Sequence, residues 1–199
     1  MWTPEIVKVT AKASIDPLFC LDNFVWMDAD TGIIQFNIGH IEGEDFFYQY
    51  EIVIHYVNGE CMVILKNRRA GLSWVASFLG WHGVNFTPGW NGLFVSRTER
   101  EAISLLKKPR FIHNNLAFKD STDINKATPA LFLQNQTYPP NNQRMFTIGH
   151  TNKLGEVTAL STLSSLTTTK HSGRGEKSKF VFIDEVQFIE NQDELFSSA

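Results

Sequence analysis

The run Cys61-Met62-Val63-Ile64-Leu65 constrains this chain more than any other segment. Five apolar residues without polar alternation suit a strand buried on both faces, as in a parallel sheet. A basic turn follows at once, Lys66-Asn67-Arg68-Arg69-Ala70-Gly71, and then a helix-like stretch from Leu72 to about Gly80. Strand, glycine turn and helix in that order are the frame of the phosphate-binding loop G-x-x-x-x-G-K-[ST], where backbone N–H groups at a helix start cradle an anion. Gly71 and Ser73 hold the second glycine and the hydroxyl of that pattern. Leu72 stands where its lysine belongs, and Lys66 where its first glycine belongs. A nucleotide bound here would take its positive charge from Lys66, Arg68 or Arg69, at the front of the loop. The plain alternative is a basic turn between a strand and a helix.

A second element narrows the choice. Phe180-Val181-Phe182-Ile183 is an apolar strand that ends in Asp184-Glu185. An Asp at the C-terminal end of such a strand can bind Mg²⁺, directly or through water. The Glu beside it can orient and deprotonate an attacking water. An acidic turn after a strand is common by itself. Two such features in one chain, each next to an apolar strand, favour a P-loop NTPase.

The rest of the sequence predicts an α/β chain with a mostly parallel central sheet flanked by helices. Asp28–Gly32 reads as a turn before a short strand at Ile33–Phe36. Phe46–Tyr56 suits a strand by composition and a helix by length and spacing, and Asn58-Gly59 ends it. Gly92–Ser96 is a strand. Thr98–Lys107 is a helix with acids in its first turn and lysines at its end, matching the helix dipole. From Lys108 to about Gln143 the chain reads as an irregular insertion with a short apolar element at Ala130–Leu133. Strands are predicted at Met145–Ile148 and Val157–Leu160 about a turn, and a loop from Thr162 to Gly175.

Charge is segregated. Residues 1–60 hold two lysines against ten acids, residues 61–183 sixteen basic residues against six acids, and residues 184–199 five acids with no base. A basic middle between acidic ends fits a surface that meets phosphates, or simply an uneven solvated surface. No apolar run reaches the ~18 residues of a membrane span, and no signal pattern opens the chain. Cys20 and Cys61 lack metal-ligand spacing and read as inert buried thiols.

The residues Leu65 to Trp74, Leu-Lys-Asn-Arg-Arg-Ala-Gly-Leu-Ser-Trp, together with Asp184-Glu185 and Arg174-Gly175, resemble the N-terminal ATPase part of the large terminase subunit of tailed bacteriophages. That family has Lys-x-Arg-Gln-x-Gly-[IK]-[ST]-Trp after an apolar strand, and Arg69 departs from it where Gln is usual. Gly92–Arg97 resembles its second strand. The resemblance spans about residues 17–190. It implies a RecA-like P-loop ATPase that hydrolyses ATP with Mg²⁺ to package double-stranded DNA.

By residue, the resemblance implies that Lys66, Asn67, Arg68, Arg69, Ala70, Gly71, Leu72 and Ser73 surround the phosphates. Ser73 and Asp184 hold the metal, and Glu185 activates water. Arg174 reaches a neighbouring subunit's γ-phosphate. Gln49, after Tyr48, reads adenine with both edges of its amide. Residues 1–60 become a lid on the adenine side, and 61–199 the ATPase core. The implied partners are double-stranded DNA, the portal protein, the small terminase subunit and further copies in a ring, in the host cytoplasm and away from membrane. The family continues with another strand, a coupling motif and a nuclease domain, so a truncated core with an incomplete sheet is expected. A helicase-like translocase is the alternative, but such enzymes keep Gly-Lys-[ST]. A non-catalytic binding remnant is a third possibility.

Overall fold

Paired capping and proline residues open the first two helices of the structure, a computed structural model that describes residues 3–64, 70–167 and 178–184. Thr3 caps α1 (Pro4–Ile15) by accepting the Ile6 N–H, and Asp16 caps α2 (Pro17–Phe24) by accepting the Phe19 N–H. Each has proline at the first helical position, where a missing N–H costs nothing. A hairpin of β1 (Trp26–Ala29) and β2 (Gly32–Gln35) follows, then α3 (Phe47–Val57). The stretch 46–56 thus resolves as helix, ended as expected at Asn58 and Gly59, with Gly59 at φ +75°. Next come α4 (Leu72–Phe86), β3 (Asn91–Ser96), α5 (Glu99–Asn114), a 3₁₀ turn at Leu131–Leu133, β4 (Met145–Thr151), β5 (Val157–Thr167) and β6 (Phe180–Ile183).

The chain divides into two compact units, Met1–Leu79 with Phe111–Gln134, and Gly80–Arg110 with Asn135–Ala199. In the first, Phe24 meets Phe118 and Phe132 edge-on, and the indole N–H of Trp26 donates to the Ala117 carbonyl at 3.1 Å. Burying these rings supplies the main apolar stabilisation there, while the indole N–H keeps a partner. Lys119 crosses to the Phe36 carbonyl and to Asn37 Oδ1, tying the end of the hairpin to the 117–128 segment. Burial lowers its amine to about 8.

The second unit holds a four-stranded sheet of order β4-β5-β3-β6. β3 pairs parallel with both β5 and β6, while β4 pairs antiparallel with β5. The architecture is therefore α/β with a mixed sheet, parallel at β5-β3-β6 and antiparallel at its β4 edge. Every residue of β3 after Asn91 is buried, as a central strand covered on both faces should be. The second half of α4 packs in this unit through its glycines. A Cβ on Gly80 would press on Leu163 and Phe94, and one on Gly83 would overlap the Trp90 ring.

Three sequence expectations need correction. Cys61–Ile64 form no strand, and all four residues are exposed, Val63 by 89%. A strand needs a neighbour to take its backbone N–H and C=O groups, and no described residue pairs with this run. Leu65 lies outside the described residues. The predicted loop from Thr162 is strand as far as Thr167, because β5 pairs with β3 over that whole stretch. The helix from Thr98 runs through Lys108 to Asn114, past Pro109. Its start is a reciprocal cap: the Glu101 N–H donates to Thr98 Oγ1, and the Thr98 N–H to Glu101 Oε2.

Candidate functional site

The described part of the basic glycine turn begins at Ala70. Gly71 has φ +73°, a conformation that side chains disfavour, and it turns the chain directly into α4. The N–H groups of Trp74 and Val75 donate back to the Gly71 carbonyl at 2.8 and 3.3 Å. The N–H groups of Leu72 and Ser73 come before those bonds and so have no acceptor inside the helix. With the helix dipole they make this end electropositive, the environment an anion needs. Leu72, in the lysine position of the standard loop, is only 6% exposed. Side-chain charge for a phosphate must therefore come from another position. Ser73 is half-buried at the start of the helix.

The first turn of α3 holds this turn from the other side. The Tyr48 hydroxyl donates to the Ala70 carbonyl at 2.6 Å, and Gln49 Nε2 donates to the same oxygen at 3.0 Å. Gln49 is 2% exposed, and its Oε1 is buried without a hydrogen-bond partner among the described residues. The amide expected to meet both edges of adenine thus has its donor half occupied and its acceptor half left over.

Beside this contact lies a cleft of about 640 Å³, a volume suited to a small molecule. Tyr48, Ile52 and His55 of α3 form one wall, Met62, Val63 and Ile64 the other, and Ala70 and Leu72 lie at its loop end. The apolar run that fails to become a strand is thus a cleft wall. His55 Nδ1, in the last turn of α3, and Glu60 Oε2, just after the helix, stand 2.7 Å apart, and that hydrogen bond holds the Glu60 carboxyl below its usual range. Cys61 also lines the cleft and is exposed, contrary to the expected buried thiol, whereas Cys20 is fully buried.

In the second unit, β6 ends at Asp184. Its N–H donates to the Val95 carbonyl at 3.0 Å, extending the β3 ladder one residue past the strand. The carboxylate therefore starts from a fixed backbone position at the C-terminal end of a parallel strand. Ser73 belongs to the first unit and Asp184 to the second. Lys66, Asn67, Arg68, Arg69, Arg174 and Glu185 lie outside the described residues. Among the described residues no cluster of three or more His, Cys, Asp or Glu is arranged to hold a metal ion. The Ser73 hydroxyl and the Asp184 carboxylate are each hard oxygen donors of the kind Mg²⁺ accepts.

Two basic residues of the second unit are occupied structurally. Arg110 donates to the carbonyls of Asn142 and Met145, and Arg144 pairs with Glu99. Trp81 and Trp90 are buried, and Trp74 meets Phe111 edge-on, which suits core aromatics rather than base-stacking groups. No described helix is long and apolar enough to cross a membrane. No family model matches this chain, and no curated protein matches it in sequence.

The sequence did not reveal the roles of the Tyr48 hydroxyl, the cleft wall or the His55–Glu60 pair. The aromatic-Gln dipeptide was a signal for the amide alone. A phenol reaching a carbonyl 22 residues away leaves no periodic trace.

Proposed function

We propose that this chain is the ATPase motor part of a large terminase subunit, a RecA-like P-loop NTPase that uses ATP hydrolysis to package double-stranded DNA. The observation that carries this reading is the pairing of Gly71 and Leu72. A left-handed glycine opens α4, and the usual lysine position is apolar and packed. A nucleotide site built this way needs its cation from Lys66, Arg68 or Arg69, as the terminase-like loop provides. A helicase-like enzyme would place a lysine at position 72. Asp184 after an apolar strand parallel to β3 supports the same reading, and so does Gln49 Oε1, an acceptor without a partner among the described residues, of the kind the exocyclic amine of adenine takes.

On this reading the loop from Lys66 to Ser73 binds the phosphates through backbone N–H groups and basic side chains. Ser73 and Asp184 would hold Mg²⁺, which when bound offsets phosphate charge. Glu185 orients and deprotonates the attacking water. Arg174 offsets charge at the γ-phosphate of a neighbouring copy. Portal protein, small terminase subunit and a ring of copies are the partners this assignment entails, in the host cytoplasm.

The test is ATP hydrolysis with and without duplex DNA, comparing the protein with its Glu185→Gln variant. The expected result is DNA-stimulated turnover that falls by ~10²-fold or more in the variant. Equal turnover in the two would remove Glu185 from the assignment. A folded protein that binds no ATP by calorimetric titration with Mg²⁺ would overturn the motor reading in favour of a binding remnant.

A further inference from the structure

We propose that Tyr48 is a positioning residue for the phosphate-binding turn, acting through the Ala70 carbonyl. This rests on reading the turn at Ala70–Ser73 as a phosphate site. A carbonyl oxygen has two lone pairs, and here both α3 donors, the Tyr48 hydroxyl and the Gln49 amide, converge on the one oxygen of Ala70. Two donors from different directions fix the plane of the peptide between Ala70 and Gly71. That plane sets the φ of Gly71, and Gly71 sets the direction in which the N–H groups of Leu72 and Ser73 leave the helix. Rotating the peptide would break both bonds together.

Two further features show that this contact is built. Phe46, just before α3, has φ +66°, a left-handed and strained conformation for a bulky side chain. Its carbonyl accepts the Gln49 N–H at 2.9 Å, so the strained residue anchors the turn that carries Tyr48 and Gln49. On the other side, Gly71 leaves room for the Gln49 amide, since a Cβ there would stand 2.6 Å from Nε2. The two donors differ in access. Gln49 is buried, while Tyr48 is 38% exposed and lines the cleft. Tyr48 is therefore where the contents of the cleft meet the geometry of the turn.

The experiment uses Tyr48→Phe, which keeps the ring and removes only the hydroxyl. Hydrogen exchange of the Trp74 and Val75 amides is measured without ligand, and affinities for tripolyphosphate and adenosine are measured by titration. The expected outcome is exchange about fivefold faster and tripolyphosphate binding about fivefold weaker, as for one lost net hydrogen bond, with adenosine binding unchanged. Unchanged exchange overturns the proposal, as does faster exchange with unchanged tripolyphosphate affinity. Equal weakening of adenosine and tripolyphosphate overturns it too, because Tyr48 would then act as a wall of the cleft. Should the unmodified protein bind no tripolyphosphate, the phosphate reading of the turn fails, and exchange alone decides whether Tyr48 holds the peptide.

Discussion

The side chain of Gln49 occupies the space that a Cβ on Gly71 would need: the added carbon would stand 2.6 Å from Nε2. Gly71 thus answers to two constraints, the positive φ of its own backbone and the approach of a neighbour.

Gly71→Ala should violate both. The left-handed backbone costs an alanine roughly 1–2 kcal/mol, and Gln49 would give up its hold on Ala70, a further ~1 kcal/mol. The expected result is a loss of about 2–3 kcal/mol in denaturant unfolding. A variant as stable as the parent would show that the turn relaxes without cost.

Ser161→Ala should destabilise the second unit. The Ser161 hydroxyl is fully buried, donates to the Thr87 carbonyl at 2.7 Å and accepts the Trp90 N–H at 3.1 Å. His150 Nε2 lies 2.8 Å from the same oxygen. Alanine removes that partner from the Thr87 carbonyl, at an exposed residue, and from the buried Trp90 N–H, which keeps only the Thr87 carbonyl at 3.3 Å, an expected cost of ~1–2 kcal/mol. Ser161→Cys, which keeps a weak donor, should fall between; equal stability of all three proteins would show that the network contributes nothing.

Stability should decline on mild acidification. Burial pushes His113 down from 6.5 to about 4, and lowers His150 as well. Both folded-state values lie below the unfolded value, so as pH falls through 6.5 the unfolded chain binds protons that the folded chain refuses. Stability is therefore lost between pH 6.5 and about 4, by ~3 kcal/mol from His113, and the histidine contribution levels off below that. Melting temperatures across this range provide the check. His113→Gln should flatten the profile, and an unchanged slope would show that other groups cause it.

Much of the architecture was legible in the sequence because local and tertiary demands agreed there. Gly92–Ser96 and Phe180–Ile183 are short apolar runs that became neighbouring strands. Thr98 and Glu101 announce a helix start that their side chains then build. The Gly71 turn into a helix was legible because few residues tolerate that backbone. Where context decides, the sequence misled. Cys61–Ile64 has the composition of a buried strand, but composition cannot supply a ladder partner, and the run became one wall of a cleft. Thr162–Thr167, rich in Ser and Thr, lacks loop character only because β3 lies beside it. In the candidate site, Gln49 was legible as a residue but not in its orientation. Its amide faces a carbonyl brought near by the fold.

The ladder between β3 and β6 reaches beyond holding two strands together. Val95 pairs with Ile183, and its carbonyl also takes the Asp184 N–H. Side chains alternate between faces along a strand, so a slip of β6 by one residue would carry the Asp184 carboxylate to the opposite face of the sheet. The face on which Asp184 falls is thus written in the apolar side chains of two strands. A substitution at Leu93 or Phe182 that shifted the alignment would turn the Asp184 carboxylate to the other face while leaving that residue itself intact.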